Sequence, residues 1–268
     1  MRSRRSKRGF EPQLAESSIR VLLNEVRSSY PEVTEQSTQA LKQNFSAKFS
    51  RSLAQYLADF LRFEFKGIQP DQQGSGHESR MSGARGSKRT DVRYSTPEIG
   101  LGFVISIKTT HFRDAKRGDF NHNETRFDAE FRVEAAEIHE RSPFGVLIGL
   151  FVLPEISAML YTEKQPSSFA KWVRRLRSRT GRGGPEDRNE LFERIFIGLY
   201  SPEGNIRFFD VIQRPPIRGM PAPETLLNLA QFIAEIIHEY RRRNNVEFEF
   251  GPSTIPDEAE HSRTSDNK

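Results

Sequence analysis

The chain has no cysteine, a single tryptophan and only six histidines among its 268 residues. Without thiols there is no disulfide framework, no thiolate metal site and no thiol nucleophile, and so few imidazoles leave little from which to build a zinc centre. Long apolar runs are missing as well. The longest, Phe144 to Pro154, has the length of a core strand rather than of a bilayer crossing, and the N-terminus is too basic and too polar to hold the apolar stretch of a signal peptide. These absences predict a soluble protein of the cell interior with no membrane partner.

What is present is charge. Lys and Arg number 41 against 36 Asp and Glu, a formal net charge of +5, while 35% of residues are hydrophobic. The basic excess suits a polyanionic partner, because lysine and arginine release counterions from a phosphate backbone. The apolar share is enough for one substantial core. Residues 1–12, MRSRRSKRGFEP, form a basic arm, and the polar stretch 249–268, ending GPSTIPDEAEHSRTSDNK, has no periodicity and is expected to be unfolded. Between them, 13–248 reads as a single domain. It divides into N-terminal helices over 13–66, a mobile loop rich in glycine, serine and basic residues over 67–89, and a core over 90–248.

Periodicity supplies the elements. Leu14, Ile19, Leu22, Leu23 and Val26 recur at helical spacing, and a second helix over about 34–65 carries Leu41, Phe45, Phe49, Leu53 and Leu57 on one stripe. The pattern then changes. TDVRYST (90–96) alternates, PEIG is a turn, and LGFVISIK (101–108) is an apolar strand, so the two runs form a hairpin or neighbouring strands. Asp91 and Lys108 fall near one end of that pair. Phe127, Phe131, Ala135 and Ile138 mark a helix over 125–141 that ends at Ser142-Pro143, and FGVLIGLFVL (144–153) is a fully apolar strand. A strand, a helical crossover and a strand buried on both faces make an α/β unit. A basic helix over 167–179, strands over 194–200 and 205–211, and a closing helix over 225–242 complete a central mixed β-sheet flanked by helices.

Lys108 closes an apolar strand and admits two readings: it snorkels to water, or it does chemistry. Its neighbours bear on the choice. Asp91 at the head of the preceding strand, Ser106-Ile107-Lys108 at the end of the next, and an acidic helix after them together resemble the PD-(D/E)XK nuclease superfamily. In that family an aspartate and a second carboxylate hold a divalent metal, and the lysine stands beside the attacking water. Two positions depart from the pattern: Thr90 stands where proline often precedes the aspartate, and Ser106 stands where the second carboxylate belongs. A branch of type II restriction endonucleases carries S-x-K there and supplies the glutamate from the following helix in a segment N-x-R-x-E-A. Here Glu130-Phe131-Arg132-Val133-Glu134-Ala135 matches R-x-E-A, with Glu130 in place of the asparagine. The loop between the lysine and this helix is longer than in that branch.

The resemblance implies a restriction-endonuclease-like core and an Mg²⁺- (or Mn²⁺-) dependent hydrolase of double-stranded DNA, working as a homodimer or higher homo-oligomer in a prokaryotic cytoplasm. Asp91, Glu134 and the main-chain carbonyl of Ile107 would hold the metal, Lys108 would orient the water, and Ser106 would hydrogen-bond a metal-bound water. Glu98 in the hairpin turn and Glu130 are reserve acids. Arg89, Arg113, Lys116, Arg117 and Arg126 flank the motif, and Lys171, Arg174 and Arg175 lead a basic helix that continues to Arg177, Arg179 and Arg182; these are the candidate phosphate contacts. Two alternatives stay open: a non-cutting DNA-binding module of the same fold, and a repair or RNA-directed nuclease.

Overall fold

In the computed structural model the described residues are 12–244 except 31–32, 78, 84–85 and 99, and the side chains of 12–18, 22 and 79–89 are likewise not described. The basic arm up to residue 11 and the C-terminal tail therefore lie outside the described residues. Two helices open the chain, α1 (Pro12–Ser28) and α2 (Gln39–Leu61). The second starts later than the periodicity suggests because Thr38 caps it, its hydroxyl accepting the Leu41 amide at 3.4 Å. Next come β1 (Ser79–Gly83) and β2 (Gly86–Thr90), paired antiparallel as a separate two-stranded sheet. This corrects the expected loop over 67–89. The run SRMSG-ARGSKRT has no apolar alternation, so nothing in its side chains announced a hairpin.

The main sheet has six strands, and their spatial order follows the chain: β3 (Val92–Thr96), β4 (Gly100–Thr109), β5 (Val146–Pro154), β6 (Arg194–Tyr200), β7 (Ile206–Asp210) and β8 (Leu226–Leu227). β3 pairs antiparallel to β4, β4–β5 and β5–β6 are parallel, and the last two pairs are antiparallel, so the sheet is mixed as expected. The two parallel steps need crossovers. α3 (Glu124–Arg141) makes the first, while the short α4 (Ile156–Met159) and α5 (Ser168–Arg177) make the second. α6 (Leu229–Asn244) ends the described chain. It begins four residues later than expected because Asn228 and Gln231 exchange side-chain bonds to each other's backbone amides at 2.8 and 2.9 Å, a capping box that fixes the first turn.

Alternation in the strands sorts the core into two layers. Phe103, Ile105 and Ile107 of β4 join Ile148, Leu150 and Val152 of β5 on the face covered by α1, α2 and α6. Val104 of β4 with Leu147, Phe151 and Leu153 of β5 face α3 and α5, where Trp172 is fully buried and donates its indole N–H to the Phe120 carbonyl at 2.9 Å. A strand buried on both sides is apolar at every position, which is why VLIGLFVL reads as an unbroken run. No helix among the described residues is long and apolar enough to cross a membrane.

Candidate active site

Because side chains alternate along a strand, sending Ile105 and Ile107 to the α1/α2/α6 layer turns Ser106 and Lys108 toward α3. α3 is anchored by Phe127, Phe131, Ala135 and Ile138, and this same face brings Glu134 down onto the strand. The Ser106 hydroxyl donates to Glu134 Oε2 at 2.9 Å, wholly buried, and Lys108 Nζ lies 3.5 Å from the same oxygen. Glu130, one turn earlier, reaches Lys108 Nζ at 3.9 Å and is held on its other side by Arg126 Nε at 3.1 Å. Just ahead of β3, Asp91 Oδ2 accepts the Ile107 amide at 2.7 Å and lines a small cavity with Ser50, Arg51 and His77, while its charge still acts on Lys108. The structure thus gathers Asp91, Ser106, Ile107, Lys108, Glu130 and Glu134 at one end of β4.

The electrostatics follow from that gathering. Burial by itself pulls the Lys108 ammonium down, but the nearby charges of Glu134, Asp91 and Glu130 and the hydrogen bond to Glu134 together outweigh it, and the amine is held above its ordinary range. It is therefore a cation at neutral pH. Glu134 is only 3% exposed, and a buried carboxylate is tolerable only when paired and hydrogen-bonded, conditions that Lys108 and Ser106 supply. This refines the part expected of Ser106. Its hydroxyl proton is spent on Glu134, so it orients the carboxylate rather than a bound water.

Glu98 is corrected outright. Val92 pairs with Ile105 and Thr96 with Gly100, so the turn carrying Glu98 is at the far end of the hairpin from Lys108. Eight residues of extended strand separate Gly100 from Lys108, roughly 25 Å at the usual rise, too far to share a cation. Glu98 is exposed, with its carboxyl held below the usual range by a hydrogen bond from Thr96.

Among the described residues no three His, Asp or Glu side chains form a ready-made cation cage. The donor chemistry of the site nevertheless fits Mg²⁺, which keeps several waters and takes one or two carboxylates together with substrate phosphate oxygens. Asp91, Glu134 and the Ile107 carbonyl are all hard oxygen donors, and both carboxylates act on one lysine.

The expected phosphate contacts divide. Arg113 and Arg126 line a cleft of about 390 Å³ with Lys42, between the start of α2, the segment after β4 and the start of α3. Arg126 joins this cleft to the cluster through Glu130. Lys116 and Arg117 are exposed at a turn that Asp114 closes by accepting both their amides, at 3.0 and 2.8 Å. Arg174 is exposed on α5, Lys171 meets Gln165 at 3.2 Å, and Arg175 lies 3.8 Å from Glu124 and 3.6 Å from Asp128. The Arg89 side chain lies outside the described residues. Further along the basic helix the arginines turn inward: Arg177 bonds the Val211 carbonyl at 3.0 Å, Arg179 grips Asp128 with two bonds of 2.6 and 2.9 Å, and Arg182 is buried against Glu193. Those three are structural, not groove contacts. A run of arginines in sequence does not reveal which of them have acidic partners 50 residues away.

The Asp128–Arg179 fork carries a prediction. Its hydrogen bonds hold the Asp128 carboxyl below the usual aspartate range. A depressed carboxylate stabilises the fold above its unfolded pKa and loses that contribution as pH falls through its folded one. Asp128→Asn is expected to lower stability by about 1.5–3 kcal/mol at pH 7. In urea titrations the gap between variant and parent should close once the parent's carboxyl is protonated; a gap unchanged on acidification would show that the charge is not its source.

The sequence marks Lys108 as a charge closing an apolar strand, and the family resemblance selects Asp91 and Glu134 beside it; the structure brings Glu134 within 3.5 Å of Lys108. The cleft beside them, whose walls come from α2 and from the residues after β4, was missed because no short-range pattern links these segments. No protein-family model, curated protein or solved structure matches the chain, so the geometry of this lysine-centred acid cluster is what carries its interpretation.

Proposed function

We propose that the protein is a metal-dependent endonuclease that hydrolyses phosphodiester bonds of double-stranded DNA, in the manner of type II restriction endonucleases or related bacterial defence nucleases. The observation that carries this reading is Lys108, a half-buried cation set against Glu134 of α3 and within the field of Asp91, beside a cleft with basic walls. Phosphodiester hydrolysis asks for a deprotonated water, charge neutralisation at the phosphorus and protonation of the leaving oxygen. Mg²⁺ bound at Asp91, Glu134 and the Ile107 carbonyl would supply Lewis acidity and lower the pKa of a bound water. Lys108, being protonated, serves as a hydrogen-bond donor that positions the water and offsets negative charge developing on the phosphate. Ser106 fixes the rotamer of Glu134, and Glu130, braced by Arg126, steadies Lys108 from the side of the cleft. Lys42, Arg113 and Arg126 offer backbone phosphates three positive charges along that cleft.

A symmetric duplex cut on both strands suits two copies of one site, so a homodimer or higher homo-oligomer belongs to the proposal, as does action in a prokaryotic cytoplasm. The second reading is a non-cutting DNA-binding module. It draws on one observation: Oε2 of Glu134 is engaged by Ser106 and Lys108 at once.

Incubation of the purified protein with long mixed-sequence duplex separates the two. Discrete fragments that require Mg²⁺ and vanish with EDTA or in Asp91→Ala are expected. Duplex bound but left intact under every condition points to the second reading, and RNA cut in preference to duplex moves the substrate. Glu98→Ala should cleave at the parental rate, since that carboxylate is at the wrong end of the hairpin; a loss of cleavage there would mean the acids have been misassigned.

A further inference from the structure

Just beyond Lys108 the chain turns into a second cavity that hydrolysis does not use. It measures about 650 Å³, within the range of sites that hold small ligands, and lies between α1, α2 and the ends of β4, β5 and β6. Its walls are aromatic: Tyr30, Phe45, His111, Phe112 and Tyr200. The rings contact one another, Phe45 with His111 at 4.9 Å between centroids, Phe45 with Phe112 at 5.6 Å and His111 with Tyr200 at 5.6 Å.

The imidazole of His111 has unfinished hydrogen bonding. Nδ1 is 3.0 Å from the Tyr200 hydroxyl, whereas Nε2 is buried and has no hydrogen-bond partner among the described residues. Burial pulls the His111 pKa down to about 3, and burial likewise pushes the Tyr200 hydroxyl up, so both groups are neutral at physiological pH. A neutral tyrosine hydroxyl with no other acceptor among the described residues donates to Nδ1. The other ring nitrogen then carries the proton, which leaves a buried N–H lacking an acceptor within an aromatic wall. The rim holds Glu35 and Glu155, and burial together with neighbouring Glu203 raises the Glu155 carboxyl. Arg27 also lines the cavity, so its charged groups are two acids and one guanidinium, a net negative set that disfavours a polyphosphate. The site asks for a flat, neutral, polarisable ring that brings its own hydrogen-bond acceptor.

We propose that this cavity binds a nucleobase, stacked on Phe112 and its neighbouring rings and accepting a hydrogen bond from His111 Nε2. Since Nε2 is closed to water, the base reaches it by displacing the half-buried ring of Tyr30, with Phe112 left in place as the stacking surface. Two carriers can deliver the base, a free nucleoside or a strand of the nucleic-acid substrate; only the second rests on the nuclease reading. Phe112 and His111 line both this cavity and the basic cleft, so a base entering here would belong to a strand lying beside Lys108.

The test is titration of the full chain with 2-aminopurine riboside, read by quenching of the probe's emission, and it requires neither metal nor cleavage. Saturable quenching is expected, displaced by natural nucleosides and no stronger for a triphosphate. Phe112→Ala and Tyr200→Phe should each weaken it about tenfold or more, the first by loss of stacking and the second by loss of the bond that sets the His111 tautomer. Tyr200→Phe keeps the ring, so a native circular-dichroism spectrum with weakened binding isolates the hydroxyl. His111 stays neutral between pH 5 and 8 and so adds no pH dependence there; a slope toward pH 5 belongs to Glu35 and the raised Glu155 carboxyl at the mouth. No quenching up to the probe's solubility limit, or equal quenching by parent and both variants, overturns the site. A second arm places 2-aminopurine within a duplex in EDTA. A change of emission that Phe112→Ala abolishes assigns the pocket to the substrate strand, and a silent duplex with a bound riboside assigns it to free nucleosides. A chain that binds the riboside but never cuts DNA keeps the pocket and loses the nuclease.

Discussion

Lys108→Met is expected to slow cleavage by about 10²- to 10³-fold, the usual cost of deleting one preorganised donor aimed at developing charge, while leaving most of the affinity for duplex in place. Affinity survives because it resides in phosphate contacts along the cleft rather than in the lysine. Methionine keeps much of the packing of the lysine stem, so the change removes charge more than volume. It also strips Glu134 of its cation and leaves a buried carboxylate with the Ser106 hydroxyl as its one remaining bond from the strand. That lost compensation makes the single variant less stable. Adding Glu134→Gln removes the orphaned charge, so the double variant should regain stability without regaining activity. The divergence of the two readouts separates a catalytic loss from a folding loss, and parental cleavage by Lys108→Met would sink the assignment. Lys108→Arg is not expected to rescue, since a planar fork cannot occupy a site built around a compact ammonium 3.5 Å from one carboxylate oxygen.

The largest expected effect on stability lies elsewhere, at Glu193. Its carboxylate is inaccessible to solvent and serves four partners: the Leu147 amide at 2.7 Å, His139 Nε2 at 3.4 Å, Arg182 Nη1 at 3.2 Å and Arg243 Nη2 at 3.6 Å. Arg182 is itself fully buried and Arg243 nearly so, and burial, followed by the other arginines, weakens the hold of Arg243 on its proton. One acid thus neutralises two buried guanidiniums. Glu193→Gln keeps the shape and the acceptor for Leu147 but leaves Arg182 and Arg243 facing each other with only the weaker fields of Glu239 and the exposed Asp187 to offset them, at a cost of about 3–5 kcal/mol. Against the 5–15 kcal/mol that holds a typical domain together, such a loss is a large fraction of the total. Urea denaturation at neutral pH should show the midpoint falling with little change in slope. A shift under about 1 kcal/mol would mean the cluster is solvated in solution.

Both sites bear on what could be read from the chain. Phe103 to Lys108 and Val146 to Leu153 announce themselves because a strand buried on both faces must be apolar throughout, and α3 because its stripe repeats every three or four residues. Asp91, Lys108 and Glu134 came together as a trio only through the resemblance to the S-x-K and R-x-E-A pattern; periodicity places the two strands and the helix but does not say which helix glutamate meets the lysine. The hairpin over 79–90 was hidden by its polar composition. Arg182 is a structural residue rather than a groove contact because its partner Glu193 lies across a loop; such a pairing is fixed by packing and leaves no periodic trace. His111 escaped notice for a related reason. It stands just past the strand, where no short-range pattern marks it, and only the arrival of α2 and β6 places aromatic rings around it.

The order of the six strands in the sheet repeats their order in the chain. During synthesis each strand of this sheet after β3 therefore leaves the ribosome with one hydrogen-bonding neighbour already made, and no strand has to be inserted between two others. The layers mature unevenly. The α3 and α5 side is finished once β6 and β7 are out, whereas the opposite side waits for α6, which arrives last among the described elements and brings Arg243 to Glu193. A nascent chain halted before α6 would already place Lys108 against Glu134 while one face of its sheet stayed open, so a chaperone's interest in this protein should centre on the surface that α6 later seals.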